Sequence, residues 1–363
     1  MMPSHKKSKK VYIEFLRVLA IFFVIFNHTG TDGFFLFSLY PDNSIRFWLY
    51  LFVTVFCKFA VPMFFAISGA LLLSKKESIG FICKKRVLKM LAVLVLFSFI
   101  YYVRKVQTNA NAVFSLSMFF RHLYHASTSS HLWYLYAYIS FLLSLPLLRP
   151  FVQNLKKEHF YYLFFWGLFF LAILPILEYL LWQGAFTLYS QSQLTWLTTN
   201  YILYPCLGYF LEHKIDILKA KKLILPLWII NILTIFASCF MTYYKARITG
   251  VCNSSSSQTF LSSFVLINVA TLYITVKYLF ATHALPQRIT RVVCSAGTAT
   301  FGIYLLHIML MNLPFVQNLG SLLRDTLHVN FMLSAFIVCL VALIISWIVT
   351  LILKKIPVLK QLL

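Results

Sequence analysis

Charge is what this sequence has least of. Only 11% of its 363 residues are Asp, Glu, Lys or Arg, and the acids number nine. A water-soluble domain needs about a quarter of its residues charged to cover its surface, so a soluble globule is excluded. The chain also lacks any polar stretch long enough to fold as a separate soluble domain. That leaves a single membrane domain over 1–363, with a basic N-terminus at 1–10, a short tail at 354–363 and nothing appended. A third absence concerns cysteine. The seven cysteines, at 57, 83, 206, 239, 252, 294 and 339, contain no C-x-x-C pair and sit mostly in apolar surroundings. They point to neither a disulfide framework nor a thiolate metal site, and no metal or prosthetic group is expected. Finally, no internal repeat at a fixed period is present, which removes one common mark of a transporter.

What fills the sequence instead is apolar: 61% of residues. Runs long enough to cross the ~30 Å hydrocarbon layer recur along its length. They predict an all-α polytopic bundle of about ten transmembrane helices, at roughly 11–29, 47–74, 87–103, 132–148, 160–180, 196–211, 223–243, 259–281, 293–312 and 331–353. The shortest, 196–211, has Pro205 and Gly208 inside it. Val11–Thr29 resembles a signal peptide at first sight, but Glu14 and Arg17 interrupt it and no small-residue cleavage site follows, so it reads as a retained span. In the longest external connector, 104–131, Val113–Tyr124 is amphipathic and suits the interface. Val251–Gln258, with four consecutive serines, reads as an external loop.

The formal charge of +23 invites a nucleic-acid partner, and its placement argues against one. With the N-terminus inside, 21 Lys and Arg fall in cytoplasmic segments. Seven fall in external loops (Arg46, Arg104, Lys105, Arg121, Lys245, Arg247 and Arg324), and four lie in or at the ends of spans. That bias is the positive-inside pattern, with both termini cytoplasmic. The basic connectors meet anionic membrane lipids, not nucleic acid.

Charged groups inside a span cost at least ~2.5 kcal/mol each near its centre, so they face protein or water and usually have a task. The first helix holds Glu14, Arg17 and His28. At 100° per residue these three share one stripe, with Glu14 and Arg17 spaced for an i,i+3 ion pair. Arg17 sits near the cytoplasmic boundary and His28 about 16 Å further along the axis. A guanidinium at the entrance and an imidazole deeper in suit a donor with an anionic head and a long thin reactive arm. The bland alternatives are an arginine that snorkels to lipid heads and a histidine that caps a helix at the interface. Lys58, Glu178 and Asn268 are further polar groups at membrane depth, with Glu178 a candidate partner of Lys58 or Lys277.

The segment EFLRVLAIFFVIFNH resembles the opening helix of the membrane acyltransferase-3 family, whose Arg-x10-His motif falls on Arg17 and His28, with Glu14 in the acidic position before it. Four further segments match in order. KFAVPMFFAISGALLL, from Lys58 to Leu73, is similar to the second span of the family. There Ser68-Gly69 also reads as a close-packing point between helices. KKRVLKM resembles the basic Arg-x-x-Arg segment, with Arg86 matching and Lys89 in place of the second arginine. HLWYL, from His131, is similar to the start of the fourth span, and FGIYLLH, ending at His307, to a late Tyr-Leu-x-His segment.

The resemblance implies an O-acyltransferase of a plasma membrane, bacterial by the family's habit, that moves acetyl from acetyl-CoA to a hydroxyl of a glycan or lipid-linked saccharide. On that reading Lys84, Lys85, Arg86 and Lys89 join Arg17 around the CoA phosphates. Orientation and lipid contact are the plainer roles of that cluster. His28 is the candidate general base, because imidazole titrates nearest neutral pH. Glu14 holds Arg17, and His307 faces His28 across one cavity. His131, Trp133 and Tyr134, with Lys58 and Ser68, are candidates for contacting the acceptor, although an aromatic belt accounts for the Trp and Tyr equally well. The competing function is a polysaccharide exporter or flippase without acyl transfer.

Overall fold

The computed structural model describes residues 10–109, 113–125, 128–183, 200–218, 220–250 and 258–363. Among these every regular element is helical. In chain order they are α1 (Val11–Asn27), α2 (Ile45–Leu72), α3 (Ile79–Thr108), α4 (Leu116–His125), α5 (Ser130–Asn154), α6 (Lys157–Trp182), α7 (Asn200–His213), α8 (Lys221–Thr249), α9 (Thr259–Thr282), α10 (Gln287–Met311), α11 (Pro314–Ser321), α12 (Phe331–Leu353) and α13 (Pro357–Leu362). Eight of them, α2, α3, α5, α6, α8, α9, α10 and α12, are long and apolar enough to cross a membrane. The other two expected spans are shorter among the described residues: α1 has 17 residues and α7 has 14. The serines at 251–257 lie outside the described residues.

Several helices run past their expected ends, and this changes where charged residues stand. α3 begins at Ile79, with the Ser78 hydroxyl accepting from the Phe81 amide at 3.2 Å, and continues through a wider π-type turn at Ile82–Val87. Lys84, Lys85 and Arg86 therefore belong to a helix, not to the connector 75–86. Lys and Arg are good helix formers, and an apolar-run reading stops short of them. α5 likewise reaches Asn154 and carries Arg149 into the protein. The amphipathic stretch after α3 forms α4, which buries Phe119 against Phe99 and Tyr102.

α1 runs through the middle of the bundle and packs on α2, α9, α10 and α12. Beside it, the second half of α2 crosses α7 at backbone contact. A Cβ on Gly69 would overlap the Pro205 backbone, and one on Gly208 would overlap the Ala66 carbonyl. Pro205 and Gly208, the residues that weaken this segment as an isolated helix, thus sit where it meets its neighbour most closely. Small residues let backbones approach where lipid supplies no hydrophobic drive.

One end of the bundle gathers the carboxylates. Glu77 accepts from Arg86 at 2.9 and 2.5 Å and from Arg149 at 2.8 Å, while the Arg149 Nε donates to the Leu72 carbonyl at 3.0 Å. Glu212 accepts from Tyr12 at 2.6 Å and Tyr273 at 3.0 Å, and pairs with Lys10 and, at 3.2 Å, with Lys277. The expected partnership of Glu178 with Lys58 or Lys277 is corrected by these contacts. Lys277 sits on the C-terminal carbonyls of α7, and the Lys58 ammonium lies 4.8 Å over the Phe34 ring, at the break between the halves of α2. The cysteines among the described residues are all free.

Candidate functional site

The stripe on α1 faces protein. Arg17 Nη1 donates to both oxygens of Glu14, at 3.0 and 3.1 Å. Glu14 is held against α10 at Gly297, where a Cβ would stand 2.5 Å from its carboxylate oxygen. A side chain at 297 would push the acid, and the arginine it anchors, out of place. Arg17 in turn lines a cavity of about 230 Å³ with Val24, Ser68, Met90, Tyr134, Tyr138, Gly297, Thr298 and Tyr304 among its walls. Met90, Ser68 and Thr298 lie toward the end of the bundle that holds the carboxylates. Lys354 donates to the Thr298 carbonyl at 2.8 Å there.

At its far end the cavity is walled by aromatic side chains. Tyr134 stacks on Tyr138 with ring centres 5.7 Å apart and meets the edge of Tyr304 at 5.4 Å. Behind Tyr304 stand three imidazoles: His28, which caps the C-terminus of α1, His131 in α5 and His307 in α10. The rings of His28 and His307 are 5.2 Å apart, those of His131 and His307 5.1 Å, and those of His28 and His131 6.3 Å. His131 and His307 are fully buried. The Tyr304 hydroxyl donates to the His131 carbonyl, and the Tyr101 ring lies 4.9 Å from that of His131.

Hydrogen bonding fixes the state of one ring. His307 Nδ1 is 2.6 Å from the Tyr304 carbonyl oxygen, which only accepts, so Nδ1 carries a proton. In the neutral ring Nε2 is then a bare lone pair, and it is buried without a partner. Nε2 of His131 is likewise buried and unpartnered, while its Nδ1 meets the Ser129 hydroxyl at 2.9 Å. Other buried polar atoms, Ser98 Oγ and Ser334 Oγ among them, are also unpartnered, but only here do two such atoms belong to imidazoles whose rings touch. Among the described residues no His, Cys, Asp and Glu group is arranged to hold a metal ion.

The candidate residues thus divide. Glu14, Arg17, Ser68, Tyr134, His28, His131 and His307 converge on one cavity and the imidazoles behind it. Lys58 is within electrostatic reach of His28. Trp133 points away, 44% exposed, because neighbours on a helix are turned 100° apart. The three acceptor-contact candidates His131, Trp133 and Tyr134 therefore part: His131 joins the imidazoles, Tyr134 the cavity, and Trp133 neither. Of the basic cluster, Lys84 and Lys85 are exposed, Lys89 is half-buried, and Arg86 is engaged by Glu77. Sequence reasoning passed over Tyr101, Tyr138, Tyr304 and Lys354. Tyr138 is one turn beyond Tyr134, and Tyr304 three residues before His307. Helical spacing from the named residues would have found both.

The family model for an acyltransferase domain matches residues 10–351 of the chain, which takes in every residue of this site except Lys354. No curated protein matches, and no solved structure does.

Proposed function

The chain is an integral membrane protein of the acyltransferase-3 family, and from that premise we propose that it transfers acetyl from acetyl-CoA to a hydroxyl of a glycan or lipid-linked saccharide at the bacterial plasma membrane. The observation that carries this reading is the cavity that starts at Arg17 and ends on the tyrosines in front of the three imidazoles. A donor with a polyanionic head and a narrow thioester arm matches it. The head lies at the basic end, which faces the cytoplasm together with both termini, ten spans being counted with α1 and α7. Arg17 takes a phosphate there, with Lys84, Lys85, Lys89 and Lys354 supplying positive potential around the mouth. Arg86, already bound to Glu77, contributes by shaping the mouth rather than by binding directly.

The arm passes Ser68, Tyr138 and Tyr134 and brings the thioester carbonyl to the imidazoles. A saccharide hydroxyl then attacks that carbonyl. Its proton passes to the lone pair of an imidazole, the new C–O bond forms, the C–S bond breaks, and the proton leaves with the CoA thiolate as thiol. His28 and His307 are the candidates for that base. The Nε2 lone pair of His307 is available because the Tyr304 carbonyl engages the opposite nitrogen. His131 packs edge-on against both and keeps the rings in register.

Mass spectrometry of surface glycans from cells carrying wild type, His28→Ala or Arg17→Ala tests the site. Both variants are expected to export glycan that lacks its ester. Unchanged ester in both would remove the site, and loss of the glycan itself from the surface would favour an exporter.

A further inference from the structure

The three imidazoles have a second cavity on their other side. It measures about 200 Å³ and is lined by Tyr101, Arg104, Lys105, Thr108, Thr128, Ser129, Ile308 and Asn312. The same order holds on each contributing strand of chain. α3 gives Met90 to the first cavity and Tyr101, Arg104, Lys105 and Thr108 to the second. α10 gives Tyr304 to the first, His307 to the septum and Ile308 and Asn312 to the second. The approach to α5 reverses this direction: Thr128 and Ser129 line the second cavity, His131 lies in the septum, and Tyr134 and Tyr138 line the first. Tyr101 and Ser129 touch His131 directly, so the second cavity reaches the imidazoles.

Its chemistry is cationic. Arg104 spends one N–H on the Met309 carbonyl, at 3.1 Å, near the end of α10. Among the described residues neither Arg104 nor Lys105 has a carboxylate partner, in contrast with Arg86, Arg149, Arg247 and Arg324, which all do. Of the hydroxyls that line the cavity, Thr108 donates to the Arg104 carbonyl at 3.0 Å and Ser129 meets His131, while Thr128 Oγ1 is buried without a partner. A neutral sugar asks for no such pair of uncompensated cations. A phosphate or carboxylate does, since it takes charge-assisted bonds from guanidinium, ammonium and hydroxyl together.

Resting on the acyl-transfer reading, we propose that the second cavity is the acceptor site and that it selects a saccharide with an anionic group, a phosphate or a uronate, close to the hydroxyl that is acylated. Arg104 and Lys105 hold the anion, and the hydroxyl is thereby presented to the imidazoles from the side opposite the donor.

The test uses the full chain, purified in a phosphate-free maltoside detergent with acetyl-CoA. The acceptors are a neutral disaccharide, a uronate-containing disaccharide and a sugar 1-phosphate. Ester formation is read by mass spectrometry and CoA thiol release by colorimetry. The charged acceptors are expected to show at least about tenfold higher kcat/KM than the neutral one, the worth of one charge-assisted hydrogen bond. In Arg104→Gln/Lys105→Gln, KM for the charged acceptors should rise about tenfold more than KM for the neutral one. Exposed Lys105 is also changed alone, to Gln and to Arg, so that a folding defect at Arg104 does not decide the result; Lys105→Arg should restore the selectivity that Lys105→Gln weakens. A preference for the phosphate over the uronate, or the reverse, identifies the anion. Equal kcat/KM for all three acceptors overturns the proposal, as does an equal loss on charged and neutral acceptors, which would mark Arg104 as a helix cap and Lys105 as a lipid contact. Thiol release without charge preference would sink the proposal alone; absence of thiol release with any acceptor would sink the acyl-transfer reading with it.

Discussion

The carboxylate-rich end of the bundle and the three-imidazole septum handle buried polarity in opposite ways. At the first, each buried charge is answered: Glu77 sits between Arg86 and Arg149, and Glu212 among Lys10, Lys277, Tyr12 and Tyr273. At the second, three imidazoles lie together with no carboxylate among their contacts in the described residues, and two of their Nε2 atoms are unmet. Compensated charge holds helices in place and is inert. Uncompensated imidazole adds little to stability and stays available to take a proton. On the proposed acyl-transfer reading the difference separates the residues that build the protein from those that act in it, and the comparison can be broken from either side.

The largest effect is expected at the septum. His307→Ala should lower acetyl transfer about a thousandfold, within the usual range for removing a general base, and leave thermal unfolding close to wild type. His28→Ala should match it in the same thiol-release measurement. If His307→Ala instead unfolds the protein while its rate per folded molecule holds, the septum is a structural feature and the contrast fails. At the other end the signs exchange. Arg149→Met strips a buried guanidinium from Glu77 and from the Leu72 carbonyl, and should cost about 3 kcal/mol in detergent unfolding, with the activity of the folded fraction retained. A smaller loss, about 2 kcal/mol, is expected for Gly208→Ala, because the new methyl meets the Ala66 backbone, which cannot swing aside as a side chain would.

The mildest test is pH. Glu77 lies in the connector between α2 and α3, outside the spans. Its hydrogen bond from Arg86, then that from Arg149, hold its carboxyl down at about 2 against an ordinary 4.5. A carboxylate depressed by folding contributes stability that is complete above about 4.5 and is lost as pH falls through 2. Unfolding followed between pH 5 and 2 should therefore show a downward slope in wild type that Glu77→Gln flattens. Parallel slopes in the two proteins would show that this carboxylate is not the source.

Much of this was legible in order and little in space. The eight long apolar helices, the i,i+3 pair of Glu14 and Arg17 and the inward stripe of α1 follow from periodicity, which is local. Hydropathy alone misses helix ends where basic residues extend a helix beyond its apolar core, as Lys84, Lys85, Arg86 and Arg149 do. Sequence order does not show where adjacent residues diverge, as His131, Trp133 and Tyr134 do. What Pro205 and Gly208 do is invisible in sequence, because a single segment does not reveal the neighbour for which a small residue makes room.

By itself the sequence determined a helical membrane protein with an ion-paired arginine and a histidine on one face of its first helix, since hydropathy, charge and a 3.6-residue turn are properties of the chain alone. Only tertiary structure decided that His28, His131 and His307 meet, and that a cavity lies on either side of them. Contacts between residues so far apart in sequence depend on where helices cross. The crossings in turn depend on Gly69, Gly208 and Gly297, whose missing side chains are the absence that the packing uses.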